Sequence, residues 1–353
     1  MSLSELTVDN VRCLEHVELS LHPHHNLVWG GNGSGKTSLL EALFLLGRGR
    51  SFRTRNSERL IRHGQSQLVV FGRTGEIPSQ NLGIQVSRTE GTRARISGQS
   101  AGSLTELSQA FPVQIIDPGI HKLVEEGGHR RRRWLDWAVF HVEPSFADHW
   151  VRYTRALKQR NAALKTQPAQ ASVWDVELAR LGELIAQSRH RLLERLDPYW
   201  RSSVSSLAGL DVELHYSRGW AQDVPLVQAL KDSAARDQAK GLTHPGPHRG
   251  DALIRLNGRP AREVLSRGQQ KLVAIAMTLA QLYLLQETAQ PAATLLLDDP
   301  AAELDGEHLG RFIERVRELR CQLVLTSLQP EFRSFGTPDR VFHVEQGGVH
   351  PVV

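Results

Sequence analysis

Cysteine is scarce in this sequence: 353 residues include only Cys13 and Cys321. Neither belongs to a Cys-x-x-Cys pair, which excludes a disulfide framework and a zinc–cysteine centre. No run of about 18 apolar residues occurs, so no segment is suited to cross a bilayer as a helix. The opening Met1–Glu5 segment lacks the charged-then-apolar layout of a secretory signal. Internal repeats and low-complexity linkers are missing too. These absences lead to the expectation of a cytoplasmic protein with no membrane partner.

What is there is ordinary globular material, 40% hydrophobic and 23% charged, long enough for one large or two medium domains. The net charge of +5 mildly favours an anionic partner, although many basic proteins merely carry a solvated surface. Three short apolar runs, Asn26–Trp29, Thr294–Leu297 and Gln322–Leu325, have the look of buried parallel strands. Each is followed by glycine, aspartate or threonine, residues suited to the carboxyl ends where α/β folds place ligands. Looser alternation over Glu5–Leu21 and Leu68–Ile96 predicts flanking antiparallel strands. Apolar residues at helical spacing over Ser145–Lys165 and Val173–Leu196, broken at Pro168, predict a helical hairpin at about 145–197.

The strongest motif is Gly30-Gly31-Asn32-Gly33-Ser34-Gly35-Lys36-Thr37, placed between a strand and a helix that opens at Ser38. Glycines let the backbone wrap phosphates with its N–H groups inward, at the positive end of a helix dipole. In that setting Lys36 neutralises the β- and γ-phosphates of ATP, and the Thr37 hydroxyl is a Mg²⁺ ligand. The strand Thr294–Leu297 ends in two acids. Asp298 suits the metal and Asp299 the attacking water. By resemblance to ABC ATPases, many of which have glutamate at the second position, the shorter aspartate implies slow hydrolysis. Downstream of the P-loop come Ser266, Gly268 and Gln269 at the start of an apolar helix, where serine and glycine make a second anion site. A plain helix cap accounts for that segment equally well when it is taken alone.

The order P-loop, Ser-x-Gly-Gln-Gln, Asp-Asp, Glu303-Leu304-Asp305 resembles the ABC ATPase plan in its SMC-like branch. That resemblance implies an α/β head of the ABC/SMC P-loop type with a second, largely helical lobe. It puts the ATP-binding lobe at 1–112 and 290–353 and the second lobe at 113–289, the signature helix starting near 265. It implies that Ser266, Gly268 and Gln269 act in trans on ATP held by a second copy, in an ATP-dependent homodimer with Asp305 in the D-loop. It also implies roles for Arg12 and Gln114 at the nucleotide and for Thr326 as the switch residue, since no histidine follows Gln322–Leu325.

More specific strings are similar to the RecF family, nearly end to end. They are Gly47–Thr54, Arg132–Asp136 with Phe140–Pro144, Lys158–Ala162, Gly219-Trp220 and Gly246–Arg249. The resemblance implies ATP-gated DNA binding at gaps and single-strand/double-strand junctions, weak DNA-stimulated ATP hydrolysis, and work with RecR and RecO in loading recombinase. A transporter ATPase would need a switch histidine, and an SMC clamp would need long heptad arms; neither is in the sequence. Two basic clusters are candidates for DNA phosphates: Arg48, Arg50, Arg53 and Arg55, and the run Arg130, Arg131, Arg132 and Arg133. An arginine of that run could instead pair with a carboxylate such as Asp136. Arg152, Arg155, Lys158 and Arg160 form a further basic stripe on the hairpin. His22, His24 and His25 lie in a proline-containing loop without partner ligands and are expected to be surface residues.

Overall fold

The computed structural model describes residues 2–352 except 76, 77, 103, 289–292 and 331–334. The chain forms two compact units, residues 1–120 with 285–353, and residues 121–284. The expected boundary at 289/290 falls outside the described residues. The one at 112/113 moves to follow Ile120, because Val113–Ile116 pairs in parallel with Thr294–Leu297 and so belongs to the first unit's sheet.

The first unit holds two six-stranded sheets. In the mixed sheet the order is Gly348–Val352, Arg340–Glu345, His25–Trp29, Gln322–Ser327, Thr294–Leu297, Val113–Ile116. All but the Gly348–Val352 edge run parallel. The three apolar runs picked out from the sequence are thus consecutive central strands. The other sheet is antiparallel, in the order Leu14–Ser20, Leu3–Val11, Gln67–Thr74, Asn81–Ser87, Gly91–Ile96, Gln99–Ser100. The helix Lys36–Arg48 shares one apolar core with both, through Leu39, Leu40 and Leu43 against Val8, Val70, Val28, Leu296 and Val324. Burial of Leu39 through Gly47 without a break explains its unpatterned apolar sequence: such a helix has no polar face to show.

The second unit is largely helical, with a small sheet of Val212–Ser217, Asp251–Leu256 and Arg259-Pro260. The first hairpin helix runs Phe146–Thr166, close to expectation. The second does not stop near 197. It runs Asp175–Ala208, 34 residues with Pro198 inside, or about 51 Å at 1.5 Å per residue. Buried Leu192, Leu196, Trp200, Val204 and Leu207 continue its apolar stripe across the proline, so packing outweighs the lost backbone hydrogen bond. Arg160 is not on the basic stripe. It is buried, donating to Asp175 (2.7 Å), Asp237 (2.7 Å) and Thr243 (2.9 Å), and ties the hairpin to the segment after it.

Candidate ATP site

The loop Gly30–Gly35 leaves the carboxyl end of the central strand His25–Trp29 and enters the helix at Lys36. Two glycines are dictated by space and angle. A Cβ on Gly30 would stand 2.2 Å from the Val344 carbonyl oxygen, and Gly35 has φ 122°. Asn32 and Gly33 are exposed, leaving the loop open on its outer side. From inside it is braced by the turn between the last two strands, whose Gly347 N–H donates to the Ser34 carbonyl at 2.9 Å.

Lys36 is buried, and its Nζ donates to the carbonyls of Gly30 (2.7 Å) and Gly31 (2.9 Å). Burial draws its pKa down, while Asp299 and Asp298 pull the other way. The Thr37 hydroxyl stands 3.1 and 3.2 Å from the two Asp298 oxygens. The Thr326 hydroxyl donates to Asp298 (3.1 Å) and accepts the Asp299 N–H (2.9 Å). Burial pushes both carboxyls above the usual aspartate range; Thr326 and Thr37 oppose it at Asp298, and Lys36 opposes it at Asp299. Asp299 precedes a proline, which disfavours right-handed helical backbone, and it takes φ 49°. A hydroxyl and a desolvated carboxylate on facing strand and helix ends are hard oxygen donors, and this pair fits Mg²⁺.

Arg12, also at positive φ (56°), is held by Glu41 through Nε (3.0 Å) and Nη2 (3.2 Å). Glu41 is fully buried in the P-loop helix, accepts Ser51 Oγ at 2.7 Å and lies 3.8 Å from Arg53. The sequence offered no reason to single out Glu41: an acid within an apolar helix shows its role only once its partners are in place. Ser38 lies 3.6 Å from the Cys13 thiol.

Gln114 lies two residues before the carboxyl end of its strand. It sits within its strand, level with Leu295, whereas Ile116 is level with Leu297. The residue at the phosphate end is Asp117, directly after the strand whose Ile116 carbonyl accepts the Asp298 N–H at 3.0 Å. Arg48 stacks on Phe44 at 5.5 Å, Arg50 is half-buried, and Arg53 and Arg55 are exposed.

In the second unit Ser266 and Gln269 cap their helix reciprocally, Gln269 N–H to Ser266 Oγ (3.3 Å) and Ser266 N–H to Gln269 Oε1 (3.0 Å). A Cβ on Gly268 would meet nothing closer than 4.0 Å. Asp305 caps Gly306–Arg317 in the same fashion, accepting the His308 N–H, which holds its carboxyl below the usual range. In the arginine run, Arg131 is buried on Asp251 (2.9 and 2.8 Å) and is spent on the fold. Asp136 accepts both of its arginine hydrogen bonds from Arg189 and attracts Arg132 of the run. Arg130 pairs with Glu126, Arg132 donates to the Gly250 carbonyl at 2.8 Å, and Arg133 is exposed.

With this geometry in place, the sequence matches the family described as RecF/RecN/SMC N terminal domain over residues 2–349. It is 40% identical to the DNA replication and repair protein RecF of Pseudomonas aeruginosa (strain LESB58), covering 99% of this chain and 97% of that one. Against the RecF of Pseudomonas putida (strain W619) it is likewise 40% identical, over 99% and 98%. The chain belongs to the RecF family. Among solved structures, the recombination mediator protein RecF-ATP in the RecFOR pathway superposes with TM-score 0.90 at 26% identity, over 100% of this chain and 98% of that one. A second RecF, with ATPrS, gives 0.87 at 26% over 99% and 98%. An SMC head bound to the C-winged helix domain of ScpA gives 0.60 at 15% over 100% and 97%, a likeness of fold alone. The RecF-family chain is therefore an α/β head of the ABC/SMC P-loop ATPase type with a helical second lobe. Among its described residues no helix is long and apolar enough to cross a membrane.

Proposed function

We propose that the protein is a cytoplasmic, ATP-dependent DNA-binding protein of recombinational gap repair that uses hydrolysis as a release step. The observation that carries this reading is the linked set Lys36, Thr37, Asp298, Asp299 and Thr326 around one open glycine loop. Lys36, now donating to two carbonyls of its own loop, transfers those hydrogen bonds to the β- and γ-phosphates. Thr37 and Asp298 are the residues to hold Mg²⁺, which when bound screens the phosphate charge. Asp299, fixed through its N–H by Thr326, orients the attacking water. With a short aspartate side chain in that position, turnover is slow, and a weak stimulation by DNA fits a switch better than a motor.

Gly268 has room for a side chain within its own chain, so its glycine answers to a neighbour from outside. That supports the assignment of Ser266, Gly268 and Gln269 to the γ-phosphate of a second copy and of Asp305 to the interface. ATP then joins two heads, and loss of the γ-phosphate loosens them. Gapped or junction DNA is the partner, bound with little sequence preference through Arg48, Arg50, Arg53, Arg55, Arg130 and Arg133. The relatives' place in the RecFOR pathway supports RecR and RecO as protein partners.

The test is fluorescence anisotropy of labelled gapped duplex, with and without Mg-ATP, for the wild type and Lys36→Met. Tighter binding with ATP in the wild type alone is expected. Equal binding in all four conditions overturns the gate.

A further inference from the structure

The short turn Gly246–Gly250 of the second unit is fixed more firmly than a surface turn requires. The fully buried Arg189 donates to the Pro247 carbonyl at 2.6 Å, and Arg132 to the Gly250 carbonyl at 2.8 Å. The buried Tyr153 hydroxyl donates to His248 Nδ1 at 2.7 Å, leaving His248 Nε2 to donate to the Thr243 carbonyl at 3.0 Å. A Cβ on Gly219 would stand 2.3 Å from the Gly246 carbonyl oxygen, so backbone lies directly on backbone.

The side chain this rigid turn presents to solvent is Arg249. The carboxylates on hand are already engaged: Asp251 faces Arg131 through both oxygens, and Asp136 faces Arg189 the same way. Among the described residues none supplies Arg249 with a carboxylate. Arg132 is attracted by Asp251 and Asp136 and repelled by Arg189 and Arg249, so Arg249 adds positive charge beside it that an anion would offset. Guanidiniums match phosphate oxygens in geometry and bind them through paired N–H groups.

We propose that Arg249 and Arg132, on and against the Gly246–Gly250 turn, form a binding site for a phosphate oxyanion. The phosphate comes from a DNA backbone or from a nucleotide, and for that source the inference rests on the reading of the chain as a DNA-binding ATPase.

The experiment compares wild type, Arg249→Gln and Arg249→Lys. Affinity for gapped duplex with Mg-ATP is measured between 50 and 200 mM salt, affinity for ATP in parallel, and thermal unfolding as a control. Arg249→Gln is expected to weaken DNA binding roughly 3–10-fold and to lower the log–log salt slope by about 1, with unfolding unchanged. Arg249→Lys should restore the slope but only part of the affinity. A loss confined to ATP affinity assigns the phosphate to a nucleotide. No change in either affinity overturns the site. If the wild type binds no DNA at all, the gap-repair reading fails separately, and the ATP series alone decides the site.

Discussion

The Thr326 hydroxyl joins the two acids of the candidate site, donating to the Asp298 carboxylate and accepting the Asp299 backbone N–H. One buried oxygen therefore sets the Asp298 carboxylate and the strained residue beside it. Thr326→Val keeps the shape and removes both bonds. ATP hydrolysis should fall roughly 10-fold, equivalent to about 1.4 kcal/mol in the barrier, with KM nearly unchanged. A raised KM with unaltered kcat would show that Thr326 serves binding instead.

Glu41, the single carboxylate of the helix Lys36–Arg48, should be highly sensitive to substitution. Glu41→Ala removes the partner of Arg12, Ser51 and Arg53 from a fully buried position. A loss of about 2–4 kcal/mol in unfolding free energy is expected from unpaired donors and the vacated space. Chemical denaturation measures it, and a loss under 0.5 kcal/mol would contradict the picture.

The arginine run separates by stability. Arg131→Ala strands the Asp251 carboxylate and should cost about 3 kcal/mol. Arg133→Ala, on the exposed side, should be within roughly 0.5 kcal/mol of wild type. Thermal melts of the two purified variants decide it, and equal melts refute the assignment.

Acid should destabilise the fold through His248. Burial, with Arg249, Arg132 and Arg189 nearby, brings its pKa down to about 4 from the ordinary 6.5. The folded state therefore binds fewer protons than the unfolded one between those values, and stability drops as pH falls through that window. The full loss is on the order of 3 kcal/mol. Denaturation at pH 7.5 and pH 4.5 should differ less in His248→Gln, once its lower baseline is subtracted; an identical pH dependence would remove His248 from the account.

The two thiols should react differently. Cys13 is exposed beside Ser38, whereas burial pushes the Cys321 thiol up to about 12. Maleimide should label Cys13 first, and Mg-ATP should slow that labelling. Faster labelling of Cys321, read by peptide mass, would place the reactive thiol at the other position.

What was legible in the sequence follows from how local each signal is. The P-loop, Asp298 and the strands before them are contiguous strings whose spacing alone carries the chemistry, and Ser266 with Gln269 is a cap within one turn. Glu41 with Arg12, Arg131 with Asp251, and Arg189 with Asp136 are pairs made by the fold across 29, 120 and 53 positions. A single sequence has no mark for such pairs, and the partner of Asp136, Arg189, lies 53 positions away. The second hairpin helix outruns its expected end near 197 because the buried stripe continues through Trp200, Val204 and Leu207 beyond Pro198.

The strand carrying the glycine loop pairs on one side with Gln322–Ser327 and on the other with Arg340–Glu345, and the loop itself leans on Gly347. During synthesis the loop leaves the ribosome long before any of these supports. At roughly 5–20 residues per second the intervening chain takes about 15–60 s to follow. The nascent chain thus carries its glycine loop without these supports for that interval, and nucleotide capture must wait for them.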